Sequence, residues 1–245
     1  MALAIAAAVA LTGCGGNSGK PSLAVSAASS LTEAFTSYGT GFAGADVRLS
    51  FAGSDQLAAQ IRQGARPDVF ASADTALPDD LHRHGLVSKP VVFARNRLVL
   101  AVPADEAEVR SVHDLARPGV TVAVGSPSVP VGIYTRQVLS GLSEPRRSAI
   151  LANVRSNETD VAGIVGKLTQ GAVDAGFVYT TDVDAANGTL KAIDLPARLQ
   201  PSVAYAAAVV EGAEHPTQAH GFVDGLLSSE GWRALHEAGF EPPPS

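Results

Sequence analysis

Residues 27 to 35 read A-A-S-S-L-T-E-A-F. A short apolar run, Leu23 to Ala28, leads in, and an amphipathic run from Leu31 through Phe35 leads out. This is the junction of a strand with a helix. Ser30 stands where the helix should begin and Glu33 follows three residues later, the spacing of a capping box. The same junction supports two readings. A helix cap is the plainer one, because caps are commoner than ligand seats. The other is an anion seat, since the first turn of a helix carries N–H groups with no intrahelical acceptor.

Outward from this junction, strand and helix signals alternate. Apolar, β-branched runs read as strands at Leu23–Ala27, Val47–Ala52, Val69–Ser72, Leu98–Val102, Val120–Val124, Gly176–Tyr179 and Val203–Val210. Helix-period stretches lie between most of them, such as Leu57–Gln63, Ile133–Leu142, Val161–Leu168 and Phe222–Leu227. This alternation predicts an α/β protein with mainly parallel sheets. Pro103 and a charged stretch follow the strand at Leu98–Val102, and L-P-A-R-L-Q-P-S precedes the strand at Val203–Val210. The chain is expected to leave one lobe at the first place and return at the second. Residues 23–97 and 204–245 would then form a discontinuous first lobe, and residues 98–203 a second. Ligands of open α/β sheets sit beyond the carboxyl ends of strands, so two facing lobes would enclose a cleft.

Four further stretches repeat the logic of the opening one. In L-S-F-A-G-S-D-Q-L-A-A-Q-I (49–61), Gly53 allows close backbone approach and Ser54 is placed to cap the helix that follows. In S-V-P-V-G-I-Y (128–134), Pro130 suits a first helical turn and leaves the N–H groups of Val131 and Gly132 free. In S-N-E-T-D-V-A-G-I-V (156–165), Asn157 or Thr159 is placed to cap, and Val161 offers a first-turn N–H. In A-G-F-V-Y-T-T-D (175–182), Tyr179 ends a strand, with its phenol expected at the lip of a cleft. Each stretch alone is satisfied by capping or core packing. Together they gather hydroxyl and N–H donors, with no Lys, Arg or His in the set.

Several function classes are disfavoured. The formal net charge is −6, from 18 basic and 24 acidic residues, and no basic cluster stands out, which argues against nucleic acid. A serine hydrolase would want G-x-S-x-G, and F-A-G-S-D-Q around Ser54 lacks it. His82 and His84 do not share a helix face, and Tyr38, Tyr134, Tyr179 and Tyr205 are scattered along the chain, so neither a metal receptor nor a ferric-ion receptor is expected.

The run A-A-S-S-L-T, then F-A-G-S with Q-I-R-Q-G-A-R-P-D-V-F-A-S-A-D, then V-P-V-G-I-Y, then D-V and V-Y-T-T-D, resembles the periplasmic molybdate-binding proteins. The resemblance extends from about Leu23 to Phe240. It implies a two-lobed type II periplasmic-binding-protein fold that closes on a tetrahedral oxyanion held by neutral donors. It implies a monomeric, non-enzymatic receptor with no cofactor, delivering molybdate, and tungstate alike, to the permease of an ABC importer. The alternative is a receptor for another tetrahedral oxyanion, sulfate above all. Position by position, the resemblance implies ligand donors at Ser30, Ser54, Val131, Val161 and Tyr179. Asp55 departs from the small polar residue common after the second serine. A carboxylate facing the pocket would repel an anion, so Asp55 is expected to point away. Because only Tyr179 in this set ionises, affinity is expected to be nearly flat from about pH 6 to pH 8.

The N-terminus reads differently. Leu3 to Leu11 is apolar but too short to span a membrane, and suits the core of a signal peptide. L-T-G-C, ending at Cys14, resembles the lipobox of bacterial lipoproteins, which implies cleavage after residue 13 and lipid on the Cys14 sulfur. Residues 14–22 would be a flexible tether, and the receptor would sit outside the cytoplasm on the cell membrane. No Lys or Arg precedes Leu3, which is compatible with a start upstream of Met1. Cys14 is the sole cysteine, so no internal disulfide forms.

Overall fold

The computed structural model describes residues 19–105 and 108–243. The leader, Cys14 and most of the tether therefore lie outside the described residues. The chain opens with strand β1 (Ser22–Ala28), a single 3-10 turn at Ser29–Leu31 and helix α1 (Thr32–Gly41). Then come β2 (Asp46–Ala52), α2 (Ser54–Arg62), β3 (Val69–Ser72), α3 (Ala76–Arg83) and β4 (Val91–Asn96). The next stretch holds β5 (Leu98–Pro103), β6 (Val122–Gly125), α4 (Pro130–Ser140), α5 (Glu144–Ala152) and β7 (Val154–Glu158). It continues through α6 (Val161–Thr169), β8 (Ala175–Tyr179), α7 (Thr180–Ala185) and β9 (Leu190–Asp194). The chain ends with β10 (Val203–Val209), α8 (Pro216–Gly225) and α9 (Ser229–Glu237).

Two sheets result, in the orders β2-β1-β3-β10-β4 and β7-β6-β8-β5-β9. Each is mixed rather than mainly parallel. In the first, β1 pairs parallel with β2 and β3, while β10 runs antiparallel to β3 and β4. In the second, β6 pairs parallel with β7 and β8, while β5 runs antiparallel to β8 and β9. The reversal has one cause in both sheets. β10 and β5 arrive from the opposite lobe and not through a βαβ crossover, so nothing forces them parallel.

The strands that the sequence shows plainly are mostly central. β3, β6 and β8 are buried at every residue, and β5 at all but Pro103. β4, β7 and β9, which lack a clean apolar signature, all lie at sheet edges. β7 reads V-R-S-N-E and β9 reads L-K-A-I-D, the charged composition of strands wetted on one side.

The lobes are joined where the chain passes from β4 to β5 through Arg97 alone, and where it returns between β9 and β10 through a 3-10 turn at Ala197–Leu199. Two hydrogen bonds clasp the first crossing: Asn96 Nδ2 donates to Thr181 Oγ1 (2.9 Å), and the Thr180 N–H donates to the Arg97 carbonyl (3.0 Å). The main core runs through both sheets, and a smaller cluster of Leu57, Ala58, Ile61, Phe70, Leu81 and Val87 seats α2 and α3. Among the described residues, no helix is long and apolar enough to cross a membrane.

Candidate functional site

β1 and β2 run parallel in the first sheet and β6 and β8 in the second, and residues just beyond their ends line one narrow cleft between the lobes. Its walls include Ser29, Ser30, Gly53, Ser54 and Ala73 from the first lobe, and Val129, Pro130, Val131, Asp160, Val161 and Tyr179 from the second. All five residues named from the sequence, Ser30, Ser54, Val131, Val161 and Tyr179, therefore meet at one place. No Lys, Arg or His lines it.

The local reasons differ from those the sequence offered. Ser30 does not cap a helix. Residues 29–31 make a 3-10 turn before α1, no side chain caps either segment, and Ser30 Oγ lies 2.9 Å from the Tyr205 hydroxyl. Ser54 is no cap either. It is the first residue of α2, 2 % exposed, and its Oγ accepts from the Ala73 N–H (3.1 Å). The cap of α6 is Asp160 rather than Asn157 or Thr159, its carboxylate accepting from the Gly163 N–H (2.9 Å). Pro130 does open α4. Val131 and Val161 thus stand in first turns, where their N–H groups lack intrahelical acceptors. Tyr179 is not at the lip but inside, 1 % exposed, and its hydroxyl has no hydrogen-bond partner among the described residues. Burial holds its phenol well above the ordinary range, so it stays protonated and can donate.

Charge around the cleft is turned aside. Asp160, a wall residue, spends its carboxylate on its own helix. Asp55 is not among the wall residues, but its carboxylate bridges the lobes and does not simply turn outward along its helix. One of its oxygens accepts from the Gln56 N–H (2.9 Å), and the other from Ser128 Oγ across the cleft (2.6 Å). Asp74 stands behind Ala73 and accepts from Ser72 Oγ (2.9 Å) and the Leu77 N–H (3.1 Å). Its carboxyl is raised by burial. Asp182 accepts from the Tyr179 N–H (2.8 Å). Enclosure of its carboxyl pushes it up to about 7, with the Tyr179 N–H opposing and the Asp160 charge adding to the rise.

The lobes are drawn tightly together. A Cβ at Gly53 would stand 2.2 Å from the Thr159 carbonyl oxygen of the other lobe. The backbone at Gly53 is extended (φ −61°), so it is the approach of the other lobe, not a left-handed turn, that requires glycine there. The accessible space between the donors is about 10 Å³, the room of a single water.

Sequence reasoning missed Ala73, Asp160, Asp182 and Tyr205 as neighbours of the site. Ala73 and Tyr205 carry no local signal, because strand pairing brings them there, whereas Asp160 and Asp182 had one, each an acidic residue at a helix start within three residues of a named donor. Three of the tyrosines that look scattered, Tyr134, Tyr179 and Tyr205, pack edge to face at centroid distances of 6.5 and 5.8 Å. His82 and His84 are exposed and hydrogen-bond the carbonyls of Val87 and Asp80. Among the described residues, no cluster of His, Cys, Asp and Glu could hold a metal ion.

The protein resembles known ones along nearly its whole length. It is 36% identical over 249 residues to the molybdate-binding protein ModA of Mycobacterium tuberculosis, covering 95% of this chain and 93% of that protein. It is 30% identical over 230 residues to Escherichia coli ModA, covering 89% and 88%. The solved periplasmic molybdate-binding protein of Azotobacter vinelandii shares the fold with a TM-score of 0.81 at 22% identity, over 91% of this chain and 100% of that one. The family model for bacterial extracellular solute-binding proteins matches residues 23–241. On that match and these relatives, the chain belongs to the family of bacterial extracellular solute-binding proteins.

Proposed function

We propose that this protein is an extracytoplasmic receptor that binds molybdate, and tungstate alike, and hands it to the permease of an ABC importer. The observation that carries the reading is the donor set: two serine hydroxyls, two first-turn N–H groups and an unpartnered buried phenol around one cleft with no cationic side chain. The names of the relatives support the same ligand.

The chemistry follows from what each donor can do. Molybdate near neutral pH is a dianion with no proton to give, so a pocket of donors suits it. Ser54 already accepts from the Ala73 N–H, which leaves its own proton for a ligand. The protonated Tyr179 phenol has nothing else to serve. A hydrogen bond to a charged group contributes roughly 1.5–3 kcal/mol. Helix N-termini add about 0.3–1 kcal/mol each. Since a micromolar constant corresponds to about 8 kcal/mol, five such donors suffice for tight binding. No catalytic role is proposed. The donors come from both lobes, so an anion touching all of them holds the lobes closed.

The receptor acts as a monomer, and Cys14 is its lipid anchor to the cell membrane, a reading supported by L-T-G-C after a short apolar run. Cys14→Ala is expected to move the protein from the membrane fraction into the soluble one. Thermal melts with molybdate, tungstate, sulfate and phosphate test the ligand. At a hundredfold excess over Kd, a ligand adds about 2.7 kcal/mol of stability. Molybdate and tungstate are expected to stabilise strongly and phosphate not at all. Sulfate stabilising as much as molybdate at equal concentration would overturn the assignment.

A further inference from the structure

We propose that Tyr205 is a positioning residue that turns the Ser30 hydroxyl into a fixed donor toward the bound oxyanion. The inference rests on the oxyanion reading of the cleft and adds a residue that does not line it.

Ser30 alone is a poorly defined donor. A serine hydroxyl rotates and either donates or accepts. It has also lost the capping bond that would have oriented it, since no backbone N–H of the 3-10 turn or of α1 reaches it. What it has instead is the Tyr205 hydroxyl at 2.9 Å, 175 residues away in sequence. Tyr205 is a firm post. It is fully buried on β10, and its ring is held edge-on by Phe93, Tyr179 and Phe240 at 6.3, 5.8 and 5.2 Å. The phenol oxygen is therefore placed by packing and not by the ligand.

The direction of the bond follows from what each hydroxyl can reach. Among the described residues, Ser30 Oγ is the hydrogen-bond partner of the fully buried Tyr205 hydroxyl, so the phenol proton has Ser30 as its acceptor. Ser30 lines the cleft, so once it accepts from Tyr205 its own proton is left for an anion. Ser30 thus parallels Ser54, whose oxygen is filled by the Ala73 N–H. In each, a donor from the protein makes the serine give its proton outward.

The test is a double-mutant cycle read by calorimetric titration with molybdate. Tyr205→Phe keeps the ring and removes the hydroxyl. It is expected to weaken binding about five- to tenfold in the wild-type background and in Ser54→Ala, but less than about twofold in Ser30→Ala. A purely structural role would lower affinity alike in all three. 3-Fluorotyrosine at position 205, which keeps the hydroxyl but makes it a stronger donor, is expected to change affinity only where Ser30 is present and serves where Tyr205→Phe does not fold. Wild-type affinity in Tyr205→Phe, or an equal loss in the Ser30→Ala background, would overturn the inference while leaving molybdate binding by the wild type intact. Failure of the wild type to bind molybdate would instead overturn the function on which the inference rests.

Discussion

The two lobes offer an anion the same chemistry by different means. The first presents side chains, the hydroxyls of Ser30 and Ser54, each backed by a donor from elsewhere in the protein. The second presents backbone, the first-turn N–H groups of Val131 and Val161, with the one phenol of Tyr179. Side-chain donors can be removed one atom at a time and need a second residue to aim them. Backbone donors are aimed by the helix itself, here by Pro130 at the head of α4 and by the Asp160 cap of α6. Neither half surrounds a ligand alone, so what matters most is whether the halves can meet.

The sharpest way to break the pairing is to hold the lobes apart. Gly53→Ala places a Cβ 2.2 Å from the Thr159 carbonyl, so the closed state is lost, while within the first lobe it meets only the end of the Asp55 side chain, at 2.9 Å. Losing even two of the three donors of the second lobe at roughly 1.5–3 kcal/mol each predicts at least about a hundredfold weaker molybdate binding. Ligand-free melting should stay within about 0.5 kcal/mol of wild type. Titration and melting of one preparation check both halves of this expectation.

Removing one donor is gentler. Tyr179→Phe should weaken molybdate binding about ten- to a hundredfold, the range for one hydrogen bond to a charged group. The ligand-free protein should be no less stable, because the lost hydroxyl has no partner to leave behind. A fall in ligand-free stability of more than about 1 kcal/mol would show that the phenol serves the fold instead.

Ser128→Ala tests the contact between lobes that lies outside the donor set. It removes the bond to Asp55, made only when the lobes are together. Stopped-flow measurements should show ligand release about two- to tenfold faster with the association rate unchanged. Equal release rates would mean that the donors alone hold the lobes shut.

The smallest expected effect is on pH. The Asp182 carboxyl, raised from its ordinary 3.8 to about 7, is neutral at low pH and charged at high pH. Facing it are Asp160 and the phenols of Tyr179 and Tyr205, which stay protonated in this range. Its charged form opposes a bound dianion, so affinity should fall from pH 6 to pH 8, by less than about tenfold for a single proton. Stability without ligand has the same sign. A folded pKa above the unfolded one contributes fully below about pH 4 and is lost as pH rises through about 7. Asp182→Asn should flatten both profiles. This is a departure from the flat affinity that the donor set alone implies, and it arises because Asp182 sits behind Tyr179, outside the set.

The sequence carried the strand-to-helix junctions, because central strands are apolar at every position and helices announce themselves with Ser, Pro or Asp at the first turn. It therefore carried the positions of all five residues that meet at the cleft, each of which falls within two residues of such a junction. Edge strands β7 and β9 were harder to read, their composition being set by water on one side. What no local pattern could supply is how each donor is held. Ser30 looks like a cap by spacing, yet a 3-10 turn intervenes and the hydroxyl finds Tyr205 instead. Tyr179 looks like a rim residue by its place at a strand end, yet the packing of Tyr134 and Tyr205 against it closes it in. The side-chain chemistry of a strand end is local and can be read from neighbours in the chain. The partner of a hydroxyl, the burial of a phenol and the need for glycine at position 53 depend on residues brought near by two sheets closing on each other, and those only the tertiary structure decides.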